Sequence, residues 1–146
     1  MMIRKIHTFY KSLPIFLLLT LTLPAHAEIA VVAHPDNKFG AINLAVLANV
    51  FLGKIHRLEN GEQIVPIDHR DGADIKVEFY QKVTNKTASQ LNAYWSRLIF
   101  TGKAQPPKAL RDDYEIMELV SENPALVGYV SLGSVDESVK VILTLP

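Results

Sequence analysis

Between Ile29 and Leu145 the spacing of apolar residues switches repeatedly between two periods, and this alternation restricts the chain to few folds. "EIAVVAH" (28–34) is a short apolar run that reads as a buried strand, and "PDNKFG" (35–40) is a loop. Leu44, Leu47, Ala48 and Phe51 then fall at i, i+3, i+4 and i+7, one stripe of a helix, with Asn43 placed to cap its start and Gly53 just past its end. "ENG" (59–61) is a turn, and "EQIVPID" (62–68) is a strand in which Pro66 points to an edge or strand-end position. Helical spacing returns at Asp74, with Ile75, Phe79 and Val83 on one side. Thr87 and Gln90 have capping-box spacing ahead of Leu91, Tyr94, Trp95 and Leu98, and "TGKAQPP" (101–107) cannot continue that helix. Asp112 and Glu115 repeat the box before Ile116, Leu119 and Val120; "LVGYVSL" (126–132) and "VKVILTL" (139–145) read as closing strands. Strands alternating with helices predict an α/β layer structure.

The first 27 residues stand apart. Arg4, Lys5 and Lys11 precede an 11-residue apolar core, Leu13 to Leu23, and Ala25-His26-Ala27 has the form of a cleavage site before Glu28. The core is short of the roughly 20 apolar residues a membrane span needs, so the expectation is a cleavable signal peptide over 1–27 and an exported domain over 28–146. Removing 27 of the 146 residues leaves 119, which suits a single core. All 15 acidic residues remain while 3 of the 15 basic ones leave, so net charge falls to −3, which argues against nucleic acid or an anionic membrane surface as partner. The chain has no cysteine, which removes disulfides, thiolate metal sites and Cys nucleophiles together.

Four segments, "VFLGKIHRLENGEQIVPID", "AYWSRLIFTGKAQPP", "ELVSENPALVGYVSL" and the loop "IDHRDGADIKVEF" (67–79) between them, resemble the phosphate-binding proteins of ABC importers, which have the type 2 periplasmic-binding-protein fold. "FLGK" followed by "NG", then Trp95 and "FTG", then "GYV", carry the resemblance from about Ile29 to Leu143. It implies a single lobe of that fold, a central mixed sheet flanked by helices, and a periplasmic location. It also implies a partner: inorganic phosphate or a similar oxyanion, a membrane transport component, or a second protein lobe.

The resemblance places anion contacts in the loop after the "PID" strand. Arg70, Asp71 and Gly72 agree with the family pattern, whereas its hydroxyl-bearing Ser-Gly-Thr run is here Ala73-Asp74-Ile75. The loop before the first helix, "NKFGAIN", also lacks hydroxyls. Two readings compete for this loop. In one, Asp74 caps the following helix and Arg70 neutralises an aspartate. In the other, Arg70 and the N–H groups of Gly72 to Ile75 retain weak oxyanion binding, as free N–H groups at a helix start allow.

Other sites have less support. His34, His56 and His69 with Asp36, Asp68 or Asp71 offer metal-ligating types, but none of the spacings is a metal motif, so no metal or other cofactor is expected. No G-x-S-x-G elbow or Walker loop is present; Asp112 and Asp113 read as helix-start acids, and Ser131, Ser134 and Ser138 as turn residues, so no enzyme is expected. Phe79 and Trp95 are expected in the core, with Tyr80 or Tyr129 partly exposed. The function expected is weak oxyanion binding linked to phosphate uptake, and the alternative is a periplasmic interaction module that kept the lobe and lost the ligand.

Overall fold

The computed structural model describes residues 27–146; apart from Ala27, the expected leader lies outside them. The chain runs β1 (Ile29–Ala33), α1 (Leu44–Phe51), β2 (Val65–His69), α2 (Asp74–Thr84), α3 (Ala88–Phe100), β3 (Lys108–Leu110), α4 (Asp113–Glu122), β4 (Leu126–Ser131), a 3-10 turn (Leu132–Ser134) and β5 (Lys140–Leu145). The five strands form one mixed sheet in the order β3-β2-β4-β1-β5. β2 runs parallel to both β3 and β4, while β1 is antiparallel to β4 and β5. This is the expected α/β architecture, a central mixed sheet with helices on both faces.

Alternation along β1 shows how the layers divide. Ile29, Val31 and Ala33 join one apolar cluster, with Leu47, Val50 and Phe51 of α1, Phe79, Tyr80 and Val83 of α2, and Leu91 and Trp95 of α3. Ala30 and Val32 join the other, with Ile116, Met117 and Val120 of α4. β1 is therefore buried on both faces, which is why its sequence reads as a continuous apolar run. Leu44 departs from the expected stripe of α1 and is exposed; Val50 is buried in the face beside Leu47 and Phe51.

The predicted caps are found at three helices. Asn43 accepts a hydrogen bond from the Val46 amide, and Thr87 with Gln90 forms the full capping box. Asp112 accepts from the Glu115 amide at 3.0 Å, but the Glu115 carboxylate reaches back one residue further, to the Arg111 amide at 2.8 Å. That bond holds the Glu115 carboxyl below its usual range.

Pro66 sits in the second position of β2, which lies inside the sheet and not at its edge. The Val65 amide bonds to Ala125 O at 2.8 Å, so residue 66 faces the β3 side, where pairing begins only at Ile67. The missing N–H therefore breaks no rung. β3 was not legible in the sequence: Lys108-Ala109-Leu110 is too short to show a period and becomes a strand by pairing with β2.

The pieces of the family resemblance are packing contacts. Gly53 follows α1 with φ +70, and a Cβ there would stand 3.3 Å from the Trp95 ring, which joins "FLGK" to the tryptophan of α3. Gly128 of "GYV" lets α4 approach the sheet: a Cβ on it would lie 2.6 Å from Cγ2 of Ile116 and 3.2 Å from Cγ1 of Ile67. Both neighbours are β-branched and stiff at χ1, so neither swings aside cheaply. Gly128→Ala is expected to lower stability by about 1–3 kcal/mol, measured by urea denaturation, with an unchanged m-value.

Candidate functional site

The parallel strands β2 and β3 end side by side, and each is followed by a helix. The open ends of parallel strands in α/β sheets are where ligands bind. The His69–Leu110 pairing closes the ladder, and the Arg70 amide adds one further bond to Leu110 O at 2.9 Å. Arg70 and Arg111, the next residue on each strand, thus leave the sheet in step. Both line a concavity of about 470 Å³ together with His69, Ala73, Asp113 and Ser134.

Beneath this edge lies a buried polar network that the sequence did not reveal. Asp68 is 2% exposed, and its carboxylate accepts from Tyr80 Oη at 2.8 Å, from Tyr129 Oη, and from the His69 amide at 2.8 Å. Lys76 Nζ stands 3.3 Å from the same carboxylate. Tyr80 and Tyr129, one or the other of which was expected to be partly exposed, are instead both fully buried. Each hydroxyl is tolerated there because it has a strong acceptor. Burial, and after it the Asp68 charge and hydrogen bond, push both phenols far above the ordinary tyrosine range. His69 is also buried, and its Nε2 lies 3.0 Å from Tyr129 O and 3.4 Å from Asp113 Oδ1. A carbonyl only accepts, so Nε2 carries a proton.

The loop from Arg70 to Ile75 departs from the self-capped reading. α2 starts at Asp74, so the cap position belongs to Ala73, which has extended backbone angles and no side-chain hydrogen bond. Asp74 is a first-turn residue, not the N-cap. Asp71 pairs with Lys76 at 2.7 Å and does not neutralise Arg70, which has no ion pair among the described residues. Ala73 N bonds to Arg70 O at 3.3 Å, closing a turn whose third residue is Gly72, at φ +83, where glycine is favoured. Among the described residues, the amides of Gly72, Asp74 and Ile75 have no hydrogen-bond partner.

Across the concavity the start of α4 is occupied by its own acids. Asp112 caps the helix; Asp113 Oδ2 accepts from Ser134 Oγ at 2.7 Å and from the Ser131 amide at 3.1 Å. Ser134 therefore donates to a carboxylate, with His69 on the far side of that carboxylate, and among the described residues no imidazole is placed to activate the hydroxyl as a nucleophile needs. Arg111 was missed by the sequence reading; the signal available was the repeat of Arg-Asp before two helices, "RDGADI" and "RDDYEI". Among the described residues no group of three or more His, Asp and Glu is arranged to hold a metal ion, and no helix is long and apolar enough to cross a membrane.

The fold is that of one part of solved phosphate transport receptors. An ABC-type phosphate transport receptor from Vibrio cholerae superposes with TM-score 0.62 at 19% identity, covering 80% of this chain and 46% of that one. A substrate-binding protein of the phosphate ABC transporter type from Clostridium perfringens, with bound phosphate, gives 0.59 at 24% identity, with 80% and 45% covered. PstS from Borrelia burgdorferi gives 0.53 at 20% identity, with 73% and 42% covered. The chain thus matches less than half the length of each. No family model matches it, and no curated protein matches it in sequence.

Two measurements check this geometry. In a spectrophotometric titration of the folded protein, Tyr80 and Tyr129 stay silent through the ordinary tyrosine range. Their folded pKa values are raised, so their contribution is complete below the unfolded value of about 10 and stability falls as pH rises beyond it. Ala73→Ser supplies the missing cap and is expected to raise stability by about 1 kcal/mol in denaturant melts.

Proposed function

We propose that the chain is a non-catalytic periplasmic protein that binds phosphate or a related oxyanion weakly, in or beside a phosphate-uptake system. Residues 28–146 form the exported domain, released from the signal peptide at 1–27. The binding loop is Arg70, Asp71, Gly72, Ala73, Asp74 and Ile75. The observation that carries this reading is Arg70, without an acidic partner among the described residues, beside the unengaged amides of Gly72, Asp74 and Ile75. A planar guanidinium and a helix start both favour an oxyanion, and the positive end of the α2 dipole adds to them. Lys76 supports the loop by neutralising Asp71.

Affinity is held low by the missing hydroxyls and by Asp74, exposed in the first turn. An exposed carboxylate near a bound dianion costs about 1 kcal/mol at close range. The competing reading, a module that docks on a transport component or another periplasmic partner, draws on Phe100. This side chain is 93% exposed at the end of α3, next to the half-exposed Ile99.

Calorimetry with phosphate and with sulfate tests the binding reading. A dissociation constant on the order of 1 mM, equivalent to about −4 kcal/mol, is expected, with Arg70→Gln removing the heat. Phosphate should also raise the melting temperature as its concentration exceeds that constant. No heat from the parent protein at millimolar ligand would overturn the reading and leave the docking module.

A further inference from the structure

We propose that Arg111 is the second arm of this site, so that a phosphoryl dianion is gripped between two guanidinium groups and keeps one oxygen open to a substituent. The proposal rests on the oxyanion reading above. It also draws on three observations beyond that loop.

The first is register. His69 pairs with Leu110, and Arg70 donates its amide to Leu110 O, so Arg70 and Arg111 leave adjacent parallel strands at the same level. Neighbouring strands lie about 4.8 Å apart, which sets the two residues close enough for long side chains to share one small ion. Both line the same concavity.

The second is that the nearby carboxylates are mostly engaged elsewhere. Asp71 is held by Lys76, Asp112 by the Glu115 amide, and Asp113 by Ser131, Ser134 and His69. Arg111 meets Glu115 through Nε alone, at 3.4 Å, which leaves its two Nη groups unengaged among the described residues. Arg70 has no acidic partner there at all. Two such guanidinium groups match the charge of a phosphoryl dianion, whose three unsubstituted oxygens offer them more acceptors than the two of a carboxylate monoanion.

The third is exposure. Arg70 and Arg111 are both exposed, and the Arg111 side chain is 78% accessible. Two arms on one open wall contact one side of the ion and do not surround it. A phosphate monoester, whose fourth oxygen carries a substituent, is therefore accepted on the same terms as free phosphate.

Calorimetry on the purified protein and on Arg70→Gln, Arg111→Gln and Glu115→Gln variants tests this, with inorganic phosphate, glycerol phosphate and acetate as titrants. Arg111→Gln should weaken phosphate binding at least about fivefold, and glycerol phosphate should bind within about threefold of phosphate, whereas acetate gives no heat. Glu115→Gln separates contact from support: if Arg111 served only to hold Glu115 at the start of α4, this variant would lose as much affinity as Arg111→Gln. The expected result for it is a change of under about twofold. Circular dichroism melts confirm that each variant is folded.

Arg111→Gln within about twofold of the parent, where Arg70→Gln loses binding, would overturn the second arm and leave the oxyanion reading intact. An equal loss in Glu115→Gln would also overturn it. Glycerol phosphate more than about tenfold weaker than phosphate would overturn the open oxygen. Absence of phosphate binding by the parent protein would instead show that the underlying reading fails, before any variant is compared.

Discussion

The buried carboxylate of Asp68 ties β2 to α2 and β4, and the geometry of the sheet edge that carries Arg70 and Arg111 follows from it. A charge in the interior is costly unless hydrogen bonds and an opposite charge surround it. Here the surround is complete: two phenols, one backbone amide and the ammonium of Lys76. Tyr80 comes from α2 and Tyr129 from β4, so the carboxylate fixes the helix relative to two strands. The stacking of Phe79 on Tyr129, with ring centroids 3.7 Å apart, packs the same junction on its apolar side. Lys76 extends the network to the surface, because the ammonium that faces Asp68 also holds Asp71.

That shared lysine changes the electrostatics of the loop. Two aspartates next to a helix start read, in one dimension, as a site filled by its own acids. In three dimensions one of them is drawn to a cation on the flank of α2, and the other lies inside the helix, where it cannot act as cap. The same partition holds at α4, whose acids cap the helix and brace the turn after β4. Arg70 and Arg111 thus face the concavity without a strong acidic partner, beside Asp112 and Asp113, whose carboxylates are hydrogen-bonded within their own helix start and turn. The likeness to phosphate transport receptors is one of fold, and the chain matches less than half of each of those structures.

Much of the frame was legible because local physics dictates it. Asn43, Thr87 and Asp112 announced helix starts, since a short side-chain acceptor satisfies an otherwise free N–H. The strands β1 and β4 were legible because burial on the sheet demands apolar runs, and the edge strand β5, half-buried, keeps enough apolar positions to be read as well. The tyrosines were misread for the opposite reason: a hydroxyl looks surface-seeking until a buried acceptor is known, and Asp68 lies 12 and 61 residues away from them in sequence. β3 and Arg111 were missed together, because a three-residue strand has no period and owes its existence to its neighbour.

By itself the sequence determined the alternation of strands and helices, the capped helix starts, the absence of thiol chemistry, and the family resemblance carried by "FLGK", Trp95 and "GYV". These depend on contacts within a few residues, or on composition. The tertiary structure alone decided that Asp71 belongs to Lys76, that Ala73 and not Asp74 holds the cap position, and that Arg70 and Arg111 share one edge. Each of those is a choice among partners that are far apart in the chain or equally near in it. Only the pairing of β2 with β3 and the burial of Asp68 break the tie.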